Sequence, residues 1–249
     1  MPIKKTLSKQ EAIEKVDHMF PLLMEQTKLA LHAEAVMEVL NESAVSAKGA
    51  AIYGPSTLRT IQNGLLVDLV ISLAKLFDPQ APRASRGETV ARRHNRSDVA
   101  SLAVMVRLLK QRRCSSALAA RAGFPATEVH EALSKATRRW AAFRRSSKSR
   151  HAVTTLKEYR DKLTAHLLLV PPKTKPRYNE LFHLMDVAME MMQPIAIAVS
   201  GTNHVLGEYE TMLREDALDF WSRAFPAIMI AADEGGAEQL LSSGRAEAS

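Results

Sequence analysis

The sequence predicts an all-α protein, and three observations carry that expectation. Apolar residues recur at intervals of three and four along most of the 249-residue chain, the period that gathers them on one face of a helix. Runs in which β-branched residues alternate with polar ones, as a half-buried strand requires, are nearly absent. Helix formers dominate, while aromatics make up only 5% and glycine numbers 10, so little in the composition favours sheets or tight turns. The expected architecture is a helical bundle with extra helices around its core.

The elements follow in order. Ser8 to Glu11 (SKQE) reads as a capping box: the serine accepts from the third helical N–H while the glutamate reaches back to the serine N–H. A first helix is expected from there, with Ile13, Val16, Phe20 and Leu23 as its apolar stripe, a bend at Pro21 and helical composition to about Ser46. KGAAIYGPS, residues 48–56, reads as a loop. In the second helix, capped by Gly54 or Ser56, Leu58, Ile61, Leu65, Leu69, Leu73 and Leu76 step by threes and fours until Asp78-Pro79 ends it. Residues 80–96 (QAPRASRGETVARRHNR) hold five arginines and no apolar period, which predicts a mobile basic loop.

Ser97 is expected to cap the next helix, with Val99, Leu102, Val106 and Leu109 on one side. A break from Gly123 to Pro125 opens a basic helix holding Trp140 and Phe143, and SSKSR (residues 146–150) interrupts it before the segment of Arg160. A late helix starts near Tyr178 and bends at Pro194. A last one runs from about Glu208 to Ile230, with Tyr209, Leu213, Phe220, Ala224 and Ile228 on its apolar side. One helical domain over residues 1–232 and a flexible tail over 233–249 is the simplest division.

Charge is distributed unevenly. Between Arg83 and Lys162 stand 20 Lys and Arg against 6 Asp and Glu, a net of +14, while the remainder of the chain, with 14 bases and 21 acids, carries −7. Such an asymmetry suits a polyanionic partner. The densest cluster contributes Arg138, Arg139, Arg144 and Arg145 as candidate RNA-binding residues, with Trp140 and Phe143 between them as core or base-stacking rings. The single cysteine, Cys114, leaves no internal disulfide, and no charged-then-apolar leader opens the chain, so a cytoplasmic protein is expected. The most apolar stretch, Leu181 to Val199, contains Asp186, Glu190 and Pro194 and makes a poor membrane span.

Among catalytic patterns, one cysteine and no His-Glu-x-x-His leave neither a metal centre nor a cofactor in view, and no Gly-rich phosphate loop or Gly-x-Ser-x-Gly is present. An arginine followed six positions later by a histidine occurs three times: Arg145 with His151, Arg160 with His166, and Arg177 with His183. Spacing alone does not choose among them. Only Arg160 is followed by a polar residue, Asp161, in a segment where a small residue, Ala165, also precedes the histidine.

YRDKLTAHLLL, residues 159–169, thereby resembles the arginine–histidine signature of the HEPN superfamily (higher eukaryotes and prokaryotes nucleotide-binding). LVISLAKLFDP upstream and YNELFHLMDVAMEMM downstream are similar to its abortive-infection U-like branch. The resemblance implies a HEPN-like α bundle, a symmetric homodimer with its two motifs facing across a cleft, RNA as partner and metal-independent endoribonuclease activity in a defence or toxin–antitoxin system. A cognate antitoxin or regulator would accompany it. Leu168 stands where HEPN toxins paired with nucleotidyltransferase antitoxins carry a modified tyrosine, so that partner is not implied.

On this reading His166 is the acid/base for the RNA 2′-OH and the leaving oxygen, and Arg160 stabilises charge on the phosphorane. Asp161 orients either of them or sits on a polar face. Lys162, four residues before His166, holds a phosphate and lowers the histidine pKa. Six residues of helix leave Arg160 and His166 about 120° apart and roughly 9 Å along the axis, so one helix does not aim both at one phosphate, and the second copy of a dimer is expected to complete the site. The alternative is a catalytically inactive helical module that binds RNA or protein, in which Arg160 makes an ion pair, with Glu158 or a distant acid, and His166 packs at a helix end.

Overall fold

The computed structural model describes residues 7–46, 55–77, 100–121, 125–165 and 175–224. Among them every regular element is an α-helix: α1 (Lys9–Ser46), α2 (Pro55–Phe77), α3 (Leu102–Leu109), α4 (Arg112–Arg121), α5 (Ala126–Arg145), α6 (Ser147–Ala165), α7 (Tyr178–Ser200) and α8 (Leu206–Ala224). The all-helical expectation is met. The basic loop at 80–96, the ends marked by Asp78-Pro79 and Gly123, the cap at Ser97, His166 itself, Ile228 and the tail at 233–249 lie outside the described residues.

Local chemistry explains most boundaries. The capping box forms: Ser8 N–H donates to Glu11 Oε2 at 2.7 Å and Glu11 N–H to Ser8 Oγ at 3.1 Å. α1 then runs through Pro21 as one helix. Pro55 opens α2, where its missing N–H costs nothing. Ser146 is extended, at ψ 127°, and this one residue separates α5 from α6. α7 continues through buried Pro194 and stops at Gly201, whose φ of 65° takes the left-handed conformation that glycine adopts without strain.

Two boundaries differ from the sequence expectation. The third helix begins at Leu102 with Ser101 as cap, its hydroxyl accepting from Val104 N–H at 3.4 Å. It then ends at Leu109, where no glycine or proline marks a stop, because the chain turns at Lys110-Gln111 and Cys114 N–H bonds Gln111 O at 2.8 Å. α3 is apolar nearly all round and is immersed, whereas α4 buries only Cys114 and Leu118. One straight helix would carry the arginines of α4 along the direction that α3 takes through the core.

The chain divides into two compact units, residues 1–30 with 70–206 and residues 31–69 with 207–249. In the first, α7 is the central element, with Leu184, Met185, Val187, Met191, Met192 and Ile195 without exposed surface. α5 makes the main packing on it, and α6 and α4 also touch it. Phe77, Phe143 and Trp140 form an aromatic chain with successive centroids 5.1 Å apart. Arg121 of α4 donates to Asp17 of α1 at 2.7 Å.

In the second unit Val39, Leu40, Leu58, Ala217 and Trp221 form a small core, and Trp221 Nε1–H donates to Val36 O at 3.3 Å. Arg214 pairs with Glu38 and Glu42. The inward side of α8 in this unit is Leu213, Ala217 and Trp221; of the stripe read from the sequence Leu213 is buried, whereas Phe220 is 58% exposed and Ala224 is exposed. Adjacent aromatics made the phase ambiguous, and the larger, hydrogen-bonding Trp221 takes the buried position.

α2 and α7 are both long and apolar enough to cross a membrane by length and composition. In α7, 56% of the apolar window is buried within the protein and in α2 39%, as the core helices of a helical bundle also show.

Trp221→Ala should cost about 3–5 kcal/mol of stability. Phe220→Ala, which removes only an edge-to-face contact at 4.9 Å, should cost about 1 kcal/mol. Urea unfolding of the two variants checks this, and equal losses would return Phe220 to the apolar stripe.

Candidate functional site

α5 distributes its four arginines according to the phase of its packing. Val129, Leu133, Ala136, Trp140 and Phe143 define the inward side. Arg138 and Arg145, seven positions apart and within about 20° of each other around the axis, point away from it and are exposed. Arg139 flanks the core on one side and forms an ion pair with Glu190 of α7. Arg144 flanks it on the other and is exposed. The four expected RNA-binding arginines thus occupy three surroundings.

α6 carries Arg160, Asp161 and Lys162. Arg160 Nε donates to Asp161 Oδ1 at 3.0 Å, and the arginine side chain is only 14% exposed while that of Asp161 is 52% exposed. Lys162 is half-buried. His166 follows the last residue of α6 and lies outside the described residues. Of the other two pairs, Arg145 is exposed and His151, 73% exposed, approaches Glu180 at 3.4 Å.

His183 has a different setting. Ser149 of α6, 1% exposed, has its Oγ 2.9 Å from His183 Nε2 of α7. Burial pushes the imidazole pKa below its ordinary value, Lys148 and Arg139 push the same way, and Asp186 and Glu190 oppose them. Serine oxygen carries two lone pairs and one proton, so whichever group donates in this contact, Ser149 keeps at least one lone pair. Asp186 reaches solvent, yet loss of hydration on its protein side, reinforced by Glu190, raises its pKa against the pull of His183, Arg139 and Lys148. Sequence reading missed the Ser149–His183 contact. Its one signal, the Arg177–His183 spacing, pointed to the wrong partner.

Ser149 also faces a cavity of about 410 Å³ lined by Phe77, Trp140, Phe143 and Val153, with Arg144, Arg150 and Thr154 among its remaining wall. Among the described residues no three His, Cys, Asp or Glu side chains gather as a metal site.

The depressed His183 pKa has a definite sign. As pH falls below about 6.5 the unfolded chain takes up this proton before the folded one does, so stability is lost down to the folded value. Asp186, shifted upward, acts oppositely: above about 3.8 the folded chain binds its proton more readily, and acidification there favours folding. From about pH 7.5 to about 5.5 the wild-type melting temperature should therefore fall further than that of His183→Gln, which keeps a hydrogen-bonding group for Ser149 but does not titrate. Equal falls would show that the imidazole is not held neutral.

No curated protein and no solved structure matches the chain. The AbiU2 family model of the HEPN superfamily matches residues 13–220, a span that takes in α2 to α7 whole, the Arg160 segment and most of α1 and α8. The all-helical fold, the arginine followed by a polar residue on α6 and this match over most of its length make the chain a member of the AbiU2 family of HEPN proteins.

Proposed function

We propose that this protein is a metal-independent endoribonuclease of an abortive-infection or toxin-type defence system, acting on RNA in the cytoplasm by 2′-OH transesterification. The observation that carries the reading is the setting of Arg160: a largely buried guanidinium held by Asp161, in a stretch of net +14 charge, on the segment that resembles the HEPN signature. A cation fixed in this way stabilises a phosphorane without reorganising during the reaction. His166 supplies the proton transfers and Asp161 positions Arg160. Lys162 and the outward Arg138 and Arg145, with Arg144, hold the phosphate backbone.

The site is composite. Because a six-residue spacing does not bring two side chains to one face of an ideal helix, the arginine of one protomer is taken to work with the histidine of the other in a two-fold dimer, whose activity a cognate antitoxin or regulator restrains. The reaction needs an anion-stabilising cation and a group that titrates near neutrality, and this pair provides both.

Arg160→Ala and His166→Ala should each lower RNA cleavage by about a hundred- to ten-thousand-fold, with EDTA without effect, while His151→Ala cleaves as wild type. Mixing the two inactive variants should restore activity, because a mixed dimer keeps one intact arginine and histidine on opposite protomers. Wild-type chains that leave RNA uncut would pass the assignment to the alternative, a silent RNA- or protein-binding module in which the Arg160–Asp161 pair is structural. Mixed variants that stay inactive would rule out the shared site.

Replacing Arg138 and Arg145 together by alanine should weaken RNA binding more at low salt than at high, lowering the slope of log affinity against log salt by about one per lost phosphate contact. An unchanged slope would remove this face of α5 from the footprint.

A further inference from the structure

The cavity beside Ser149 combines features that neither the arginine–histidine signature nor core packing requires. One side of its wall is apolar, from Phe77, Trp140, Phe143 and Val153, and two exposed cations, Arg144 from the end of α5 and Arg150 from the first turns of α6, stand in the remainder. Ser149, itself 99% buried, is part of that wall, and its hydroxyl is held by His183. At about 410 Å³ the space falls in the range of small-molecule sites.

The position on α6 is informative. Ser149, Val153 and Arg160 are related by steps of four and seven, so they lie within about 40° of one another around the helix, with Arg160 roughly 16 Å along the axis from Ser149. The cavity and the motif arginine therefore share one flank of one helix. A ligand that reaches both must be extended and must repeat an anionic group along its length.

We propose that this cavity is a nucleotide subsite for single-stranded RNA: it receives one base against the Trp140, Phe143 and Val153 wall, with Ser149 hydrogen-bonded to the base edge and Arg144 and Arg150 on the flanking phosphates. The proposal rests on the RNA reading given above and adds to it the place where the strand is anchored. The charge argues for this occupant, since both cations lie in the segment of net +14 and an uncharged ligand would make no use of them. An apolar slot flanked by arginines is also the arrangement by which proteins hold single strands, with aromatic and aliphatic surface against the base and cations along the backbone. Beside His183, Ser149 keeps a lone pair that can accept from a base amino or imino group. The groups around that imidazole, Lys148, Arg139, Asp186 and Glu190, tune it without entering the cavity wall.

The test uses the full chain and a short single-stranded RNA with 2′-O-methyl groups, which cannot undergo transesterification, so that binding is read apart from cleavage. Thr154→Trp, made at an exposed residue of the wall, fills the mouth without disturbing the core and should weaken binding about tenfold or more, whereas Thr154→Ala should not. Replacing Arg144 and Arg150 by glutamine should lower the salt slope by about two. Photocrosslinks from the RNA should map between Trp140 and Thr154. Failure of the chain to bind this RNA, affinity of Thr154→Trp equal to wild type, or crosslinks confined to other segments would each overturn the proposal. A chain that binds in the cavity yet leaves unmodified RNA uncut would sink the nuclease reading and leave the subsite standing. Cleavage of unmodified RNA by Thr154→Trp with unchanged KM would do the reverse.

Discussion

Leu184, Met191 and Ile195 leave α7 no exposed surface on its inward side, and the helix laid mainly against it is α5. The geometry of the first unit's polar groups depends on this contact. Once Val129, Leu133, Ala136 and Trp140 face inward, the helical period decides where every arginine of α5 goes: Arg139 to one flank beside Glu190, Arg144 to the other beside the cavity, and Arg138 and Arg145 outward. Burying Ala152, Leu156 and Tyr159 orients α6 in the same way, which carries Ser149 to His183 and leaves Arg160 on a flank.

The arginines show how far equal charges differ in what they can do. Arg139 lies at a partly buried edge, where its ion pair with Glu190 ties α5 to α7. Arg138 and Arg145 are exposed, where salt screens their charge. Arg160 is mostly shielded from solvent and paired with Asp161, its neighbour in sequence. A basic segment counted as net charge hides these distinctions.

His183 and Asp186 carry the same lesson for titration. They stand three positions apart on α7 and share Lys148, Arg139 and Glu190 as neighbours, yet their pKa values move in opposite directions, because lost hydration disfavours the charged form of each. A neutral histidine against a buried serine gives the cavity a hydrogen-bonding group whose polarity does not invert near neutral pH.

The sequence by itself determined the helical class, the capping box at Ser8 to Glu11, an interruption within SSKSR, which the structure narrows to Ser146, and the segment of Arg160 that resembles the family signature. Each depends on residues within a few positions of one another, where caps, turn residues and the helical period act. Tertiary structure alone decided that Trp221 rather than Phe220 faces the core of the second unit, that α3 stops at Leu109 without a breaker, and that Arg139 is tied to Glu190. It also placed Ser149 against His183, 34 residues away, beside the cavity. The reason is that periodicity specifies which residues share a face but not which neighbour fills the space opposite them. That choice is made by the volumes and hydrogen bonds of helices distant in sequence, and they become adjacent only when the core closes.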